Sequence, residues 1–292
     1  MLSLLCTILF STSLVVFFKL FERWKVHQFT AIVFNYWSAF LLGVLFIAFQ
    51  QPLPGIQLME KPWFGYAAGL GLLFLVIFSL AAQTTQRLGV GIASVAMKLG
   101  LVFPVLCAFF LYQEPVDVIK IAGVVLAVIS VLLTSGILPG SNQGVIKSGW
   151  EITLPVLVFS GSGLCDAVAQ FAQKRLLPPD EAKLFASVDF LFAALSGTLI
   201  WFVLLFRNQK ICRLSIGSGL LLGIPNFLSF YFLLRTLEDL SSWGSAVVFM
   251  LINVSVVISG ILVGILLFQE KLSRWQWMGL TLALLAIILV GV

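Results

Sequence analysis

Charged side chains and metal-binding side chains are scarce in this chain. Lys, Arg, Asp and Glu together make up 10% of the 292 residues, and His27 is the single histidine. One histidine in a predicted connection argues against a serine–histidine catalytic site and against a metal cluster of the usual imidazole type. The four cysteines have no CxxC spacing, so we interpret them as small core residues. We therefore expect no cofactor, no metal and no enzymatic activity.

Long polar stretches are equally rare, which excludes an ordinary soluble domain. Hydrophobic residues account for 61% of the chain, and the mean hydropathy is +1.12. Because each crossing of a bilayer takes about 20 residues, the sequence predicts an all-α polytopic membrane protein with about ten transmembrane helices. The net charge of +5 comes mainly from lysine and arginine in short connections. That placement is typical of membrane topology signals, and we expect no binding of nucleic acid.

An internal repeat divides the chain into two similar units. Glu114 and Gly123 recur 156 residues later as Glu270 and Gly279. The pattern predicts a first five-helix unit at 1–138, a polar linker at 139–149 and a second five-helix unit at 150–292. An odd number of helices per unit makes the second copy enter from the other side of the membrane, which predicts an inverted repeat. Further matches are Asn35 and Gly43 with Asp189 and Gly197 at an offset of 154, and Gly65, Gly71, Phe78, Thr84 and Leu88 with Gly217, Gly223, Phe230, Thr236 and Leu240 at an offset of 152.

The predicted fourth helix, residues 91–114, carries an ammonium group and a proline inside an apolar run. Lys98 costs roughly 3 kcal/mol or more in hydrocarbon, so it should face a partner or a pathway. Pro104 frees a backbone carbonyl and kinks the helix, which is tolerated where protein or cavity water can bind the freed group. The helix is therefore predicted to border a polar cavity. Ser94, one turn before Lys98, is expected to add a hydroxyl group to the same face.

These features together resemble one known family. They are two five-helix units, a proline-containing fourth helix that ends in Glu114, its repeat at Glu270, and a glycine nine residues beyond each glutamate. In them the whole chain resembles the EamA-type branch of the drug/metabolite transporter superfamily. The resemblance implies a carrier with a central cavity lined by helices one, three, four, six, eight and nine. The second unit departs from the pattern, because Gly260 matches Pro104 and Lys98 is not repeated.

The resemblance also implies what the protein does. We expect a secondary transporter that moves a small polar or amphipathic metabolite by alternating access, commonly as an exporter, with protons or sodium as candidate coupling ions. The expected location is a bacterial inner membrane, and the expected assembly is a monomer or a homodimer. An uptake permease for sugars or other metabolites stays open as an alternative. Ten basic residues in connections on one side against six on the side of the termini leave the orientation open as well.

Polar residues inside predicted helices are the candidate site. Lys98 is interpreted as a ligand for a substrate carboxylate or phosphate, or as an internal counter-ion; a salt bridge for assembly alone is the alternative. Asp166 is the first candidate for proton coupling. Asp189 lies about seven residues into helix seven, where basic residues of the adjacent loop could reach it. The amides of Asn226 and Asn253 are expected to bind either substrate or neighbouring helices.

Glu114 and Glu270 could form a pair of carboxylates, but each precedes a predicted helix start. A negative charge there meets the positive end of the helix dipole, so we interpret both as structural caps. Pro104 is likewise assigned a structural role. Ser273 followed by Gln276 has the spacing of a capping box for helix ten.

Two alternatives belong to other classes of protein. Asp166 and Asp189 lie on consecutive predicted helices, as the dyad of an intramembrane aspartyl protease requires, but their contexts GLCD and SVDF do not match the expected GxGD and YD patterns. A purely structural or sensory membrane protein is the second alternative, because buried charges can also serve assembly.

Overall fold

The computed structural model describes residues 2–49, 56–100, 102–103, 106, 118–134, 149–178, 181–205, 213–240 and 245–291. Pro104, Glu114 and linker residues 139–148 lie outside these ranges, and so do the kink and the cap predicted there. Within them the chain forms ten α-helices, a short 3-10 helix at Ile56–Glu60 and no strand. The helices are α1 Leu2–Arg23, α2 Gln28–Ala48, α3 Phe64–Leu88, α4 Val90–Leu99, α5 Val118–Thr134, α6 Gly149–Arg175, α7 Ala182–Leu205, α8 Arg213–Asp239, α9 Ser245–Phe268 and α10 Arg274–Gly291.

Most of these helices have the length and composition that a bilayer requires. In the described part of the chain, α1, α2, α3, α6, α7, α8 and α9 are the seven helices that are long and apolar enough to cross a membrane. The other three, α4, α5 and α10, are apolar but contribute shorter segments. In lipid the backbone must satisfy its own hydrogen bonds, and a helix does so within one segment. The all-helical multi-pass architecture follows from that constraint.

The core of the molecule lies between the two halves of the chain. Helices α2 and α3 of the first half pack on α7 and α8 of the second, and α4 packs on α9. The most extensive contacts between the halves have counterparts when α1–α5 are exchanged with α6–α10, whereas the smaller contacts of α4 with α10 and of α5 with α6 do not in the described part of the chain. The contact of α2 with α8 corresponds to that of α3 with α7, α1 with α8 corresponds to α3 with α6, and α4 with α6 corresponds to α1 with α9.

The same exchange holds for single residues at the closest helix contacts. A Cβ atom added to Gly71 on α3 would collide with the backbone oxygen of Asp189 on α7. A Cβ atom added to Gly223 on α8 would lie 2.6 Å from the backbone oxygen of Asn35 on α2. Glycine therefore allows both pairs of backbones to approach closely. A second matching pair of contacts joins Gly43 to Ser187 and Phe227, and Gly197 to Val33 and Leu75.

Contacts between helix ends show which ends of α1, α3 and α6 lie on the same side of the molecule. Arg87, at the end of α3, forms a salt bridge of 3.1 Å with Glu151, at the start of α6. Lys19, near the end of α1, donates to the carbonyl oxygen of Gln86 at 3.1 Å. We call this side of the molecule the Glu151 end. Helix α1 therefore ends where α6 begins, so these two equivalent helices run in opposite directions.

The opposite side, which we call the Glu181 end, is joined by one carboxylate. Glu181 accepts a hydrogen bond of 2.6 Å from the Lys61 ammonium and another of 2.6 Å from the Trp63 indole nitrogen. These contacts join the start of α3 to the start of α7. At the equivalent place on the Glu151 end, the backbone nitrogen of His27 donates to the hydroxyl of Ser215 at 2.9 Å. One end therefore has an ionic contact where the other has a neutral contact.

Glu270 caps a helix, but not the helix that follows it. Its carboxylate accepts hydrogen bonds from the backbone nitrogens of Val90 at 2.7 Å and Gly91 at 3.4 Å, at the start of α4. Gly89, between α3 and α4, has a φ of 103°, a conformation that favours glycine. A side chain there would also collide with the Glu270 carboxylate. The expectation that Glu270 caps α10 is therefore wrong in its target.

The start of α10 is satisfied by its own residues. The Ser273 nitrogen donates to Gln276 Oε1 at 2.8 Å, and the Gln276 nitrogen donates to Ser273 Oγ at 3.2 Å. This reciprocal pair is the capping box that the spacing predicts. Because these two side chains already cap α10, the Glu270 carboxylate is available for the neighbouring helix.

We expect Glu270→Ala to lower the free energy of unfolding by about 1–2 kcal/mol, because it removes a cap and leaves a backbone donor of α4 without a partner. Glu270→Gln keeps an acceptor oxygen and loses only the charge, so its effect should be smaller. Thermal unfolding of the purified protein in detergent measures both. Equal midpoints for the alanine variant and the wild type would contradict this role.

The Glu181 contact should depend on pH. Hydrogen bonding from Lys61, assisted by Trp63, lowers the pKa of the Glu181 carboxyl. A carboxyl whose pKa is lower in the folded state stabilises the protein above its unfolded pKa of about 4.3, and this contribution is lost as the pH falls through the folded value.

We therefore expect wild type to exceed Glu181→Gln in stability by about 0.5–1 kcal/mol near neutral pH, and this difference to shrink in acid and to vanish once the pH is below the folded pKa of the Glu181 carboxyl. Unfolding midpoints recorded across the pH range for the two proteins test this. The exposed carboxylate of Glu60, which forms no salt bridge with a described residue, provides a comparison, since Glu60→Gln should leave the midpoint nearly unchanged at neutral pH. A wild-type advantage that persisted in acid would refute the ionic origin of the contact.

Candidate functional site

An ammonium group and a carboxylate approach one another between α4 and α6. Helix α4 is buried along residues 90–96, and Lys98 follows as a half-buried side chain near its end. Asp166 is exposed on α6, and the charges of the two side chains interact. They form no salt bridge with each other. The structure thus brings the first two candidate residues together without closing them on each other.

Asp166 is exposed on the inner face of its helix and not on the face toward lipid. The outer face of α6 is a stripe of exposed apolar residues at a spacing of seven. Asp166 lies about 200° around the helix from the last residue of this stripe. Ser162, one turn before Asp166 on the same face, donates to the carbonyl oxygen of Met97 on α4 at 3.1 Å. The exposed stripe consists of Trp150, Leu157 and Leu164.

The Asp166 carboxylate follows a close contact between α6 and the end of α4. One turn before it, a Cβ atom on Gly100 would lie 2.6 Å from Ser162 Oγ. Asp166 itself is exposed, and it is the only charged side chain of α6 between Glu151 and Lys174.

Helix α9 forms another side of this region. A Cβ atom on Gly260 would collide with the Ser94 hydroxyl, so Ser94 faces α9. Ser94 is 2% exposed and its hydroxyl has no partner among the described residues. In this packing Ser94 lies at the contact between α4 and α9, and the expectation that its hydroxyl serves the Lys98 site stays a prediction. Asn253, buried on α9, is seven residues from Gly260 and shares its face, which points toward the Lys98 half of α4.

A second polar cluster lies between α2, α7 and α8. Asn226 Nδ2 donates to Asn35 Oδ1 at 3.2 Å, and both side chains are buried. The Asn226 amide thus joins α8 to α2, which is the helix-to-helix contact that the sequence analysis left open beside substrate binding. Asn35 Nδ2 has no partner among the described residues. A single amide pair in lipid contributes about 1 kcal/mol to helix association.

Asp189 is buried beside this cluster. It is 4% exposed, and its Oδ1 atom has no hydrogen-bond partner in the described part of the chain. The groups that interact with its charge are the hydroxyl of Tyr36 and the thiol of Cys165. The expected contact with a basic residue of the adjacent loop is not seen, since the Lys183 ammonium lies 5.6 Å from the centre of the Phe46 ring.

The structure adds two residues that the sequence analysis did not select as site residues. Asn35 and Tyr36 lie in the centre of an apolar helix, and Asn35 occupies the repeat position of Asp189. Tyr36 is 1% exposed and donates to the carbonyl oxygen of Phe74 at 3.0 Å. The repeat offset of 154 was the signal that could have identified Asn35.

The arrangement does not form the constellation of a protease or a metal site. The two aspartates have different surroundings, because Asp166 is exposed beside Lys98 while Asp189 is buried beside Tyr36. A shared-proton dyad needs two carboxylates at one site. Within the residues that the structure describes, no three His, Cys, Asp or Glu side chains converge on one point. What α4, α6 and α9 carry in this part of the structure is one cation, Lys98, one anion, Asp166, and one buried amide, Asn253.

Known proteins match the chain along its entire length. A relative from Haemophilus influenzae, an uncharacterized protein, is 27% identical over 292 residues, which is 98% of this chain and 96% of that protein. A solved crystal structure superposes with a TM-score of 0.60 at 16% identity over 99% of this chain and 94% of that one, and it shows the fold alone. The model of the EamA-like transporter family matches residues 1–136 and 153–292. The chain is therefore a membrane protein of the EamA-like transporter family, with one copy of the family's repeat in each half.

Proposed function

We propose that this protein is a secondary transporter for a small zwitterionic metabolite such as an amino acid, which binds between Lys98 and Asp166. The observation that carries the proposal is the exposed Asp166 carboxylate on the inward face of α6, within electrostatic reach of the Lys98 ammonium. A carboxylate of the substrate would meet Lys98, and an ammonium of the substrate would meet Asp166. Asn253 on α9 would supply an amide to the same ligand.

Because Lys98 and Asp166 form no salt bridge with each other, the site favours a zwitterionic ligand over a ligand with a single charge. In the empty site the two charges reduce the electrostatic cost of each other, which allows both to remain inside the membrane. A zwitterion replaces both interactions at once and leaves the net charge of the site unchanged. A simple anion would leave Asp166 without its counter-charge, which is unfavourable in a region of low dielectric constant.

The proposed movement is an exchange between two inverted halves, 1–138 and 150–292, joined by 139–149. Its support is that α1 and α6 run in opposite directions and that the most extensive contacts between the halves have counterparts. The chain would cross the membrane ten times if α4, α5 and α10 are each part of a transmembrane helix. Rocking of one half on the other would open the region around Lys98 to each side in turn.

The proposed direction is export across the inner membrane of a bacterium, with protons as the coupling ion. The direction comes from the family resemblance, and a bacterial location is supported by the relative in Haemophilus influenzae. Substrate movement in inside-out and right-side-out vesicles separates export from uptake. Accumulation in right-side-out vesicles driven by an inward proton gradient would favour the uptake permease.

We expect Lys98→Gln to reduce transport of a carboxylate-containing substrate by at least about tenfold, since even 1.4 kcal/mol of lost binding has that effect. The assay is uptake into inside-out vesicles of a radiolabelled panel of amino acids, organic acids and amines. Asp166→Asn should impair zwitterions more than organic acids. Arg235→Ala removes an exposed cation on α8 and serves as the control for positive charge.

The pattern across the panel decides between substrate binding and assembly. If Lys98 only holds helices together, its substitution will lower the amount of folded protein and affect every substrate equally. If it binds substrate, Lys98→Arg will retain partial transport with a changed KM. A wild-type protein that moves no member of the panel, or a Lys98→Gln variant with unchanged transport, would overturn the proposed site.

A further inference from the structure

The Asp189 carboxyl is a buried acid without an ionic partner among the described residues. Its side chain is 4% exposed, its Oδ1 atom has no hydrogen-bond partner among them, and none of them forms a salt bridge with it. The Tyr36 hydroxyl nearby donates to the carbonyl oxygen of Phe74, and the Asn226 amide donates to Asn35. Asp189 is thus not part of an internal ion pair in this packing.

Among the described side chains, no cation of the helices around Asp189 interacts with its carboxyl group. From α2 the facing titratable group is the Tyr36 hydroxyl, and from α6 it is the Cys165 thiol, which is 2% exposed. On α3 the contact is made by Gly71, which lies against the backbone oxygen of Asp189 itself. The ammonium of Lys183, on the same helix, lies over the ring of Phe46. An ionised carboxylate in such surroundings is strongly unfavourable, so the packed state requires the neutral acid.

The first half of the chain contains a natural model of that neutral acid. Asn35 occupies the repeat position of Asp189, and an amide has the shape of a protonated carboxyl group but cannot ionise. The two positions are packed alike, because the backbone oxygen of each lies against a glycine of the opposite half, Gly223 and Gly71. Each also has one buried polar atom without a partner, Asn35 Nδ2 and Asp189 Oδ1. The fold accepts a neutral group in both places, and only one of them can exchange a proton.

We infer that Asp189 is a proton-binding site of this protein, occupied while α7 is packed on α2 and α3 and vacated when these helices separate, and that it is distinct from the Lys98–Asp166 region. In the packed state the carboxylate oxygen holds the proton as a carboxylic acid. When the helices separate and water enters, the acid releases the proton to water and remains as a carboxylate. One proton is therefore bound and released per cycle of packing and separation.

The role of this proton site in transport rests on the proposed function. In that role the proton is the coupling ion, and its site lies on α7, at a backbone contact between the halves. Because that contact has to break for the halves to rock, proton binding and the rocking movement would be linked. The substrate pair on α4 and α6 need not change its protonation during the cycle.

Infrared spectroscopy of the purified protein tests the proton directly and needs no substrate. At neutral pH we expect a carbonyl stretching band of a protonated carboxylic acid, above the amide band and shifted in heavy water. Asp189→Asn should remove this band, while Asp166→Asn should leave it. Absence of the band in the wild type at neutral pH, or its persistence in Asp189→Asn, would overturn the inference.

Reaction of Cys165 with a membrane-permeant maleimide provides the second readout. In a background with the other three cysteines replaced by serine, opening of α7 should expose this buried thiol. We compare the rate of Cys165 labelling in the wild type with that in Asp189→Asn. The ratio of these two labelling rates should rise by about tenfold per pH unit where the release of one proton limits the opening of α7. Taking this ratio cancels the pH dependence of the thiol itself. A ratio that stays constant with pH would contradict the linkage.

The outcomes separate this inference from the proposed transport. If Asp189→Asn does not fold, Asp189→Glu retains the acid and should keep a carboxylic-acid band at a shifted frequency. A positive infrared and labelling result without any transport would support the proton site and reject the substrate proposal. Transport that is insensitive to Asp189→Asn in both rate and proton dependence would reject the coupling role even where the band is present.

Discussion

Close contacts between the two halves, in which a backbone oxygen of one half lies against a glycine of the other, hold the central helices together. Between helices in lipid there is no hydrophobic driving force, so association depends on close packing of small residues. Gly71 against Asp189 and Gly223 against Asn35 provide this packing at two matching places. They bring α2, α3, α7 and α8 together, and α4 packs on both α6 and α9 beside them.

The sequence was sufficient to predict which positions of the two halves are equivalent. It was not sufficient to predict which residues of distant segments contact one another. The repeat offsets paired Asn35 with Asp189 and Gly71 with Gly223, and those pairs have matching surroundings. The sequence assigns Glu270 to the start of α10, because a cap is recognised from the spacing along one segment. A carboxylate where the chain reverses direction is equally close to the start of another helix. A local pattern indicates that a helix start needs an acceptor, but it does not say which chain segment brings it.

Charged residues were easier to select than neutral polar ones. In a chain with so few charges, Lys98 and Asp166 stand out, and their cost in lipid is a physical reason to expect a common site. Asn35 and Tyr36 carry no charge and could equally have been contacts between helices, so composition alone did not select them. The helix face on which Ser94 lies was predictable from its spacing to Lys98. The residue that packs against this face, Gly260 on α9, was not predictable.

A carrier built from two similar halves needs differences between them to respond to an ion or a gradient. A symmetric scaffold makes its two end states similar in energy, so a group present in one half only can bias the equilibrium. Three such groups lie on the contacts between the halves: Asp189 where Asn35 is the counterpart, the ionic Glu181 contact where His27 and Ser215 form a neutral one, and the unrepeated Lys98. Each of these groups carries or can gain a charge. The residue at the equivalent position of the other half is neutral or apolar in each case. In the proposed transporter the repeat would supply the movement, and the departures from the repeat would supply its sensitivity to protons and to charged solutes.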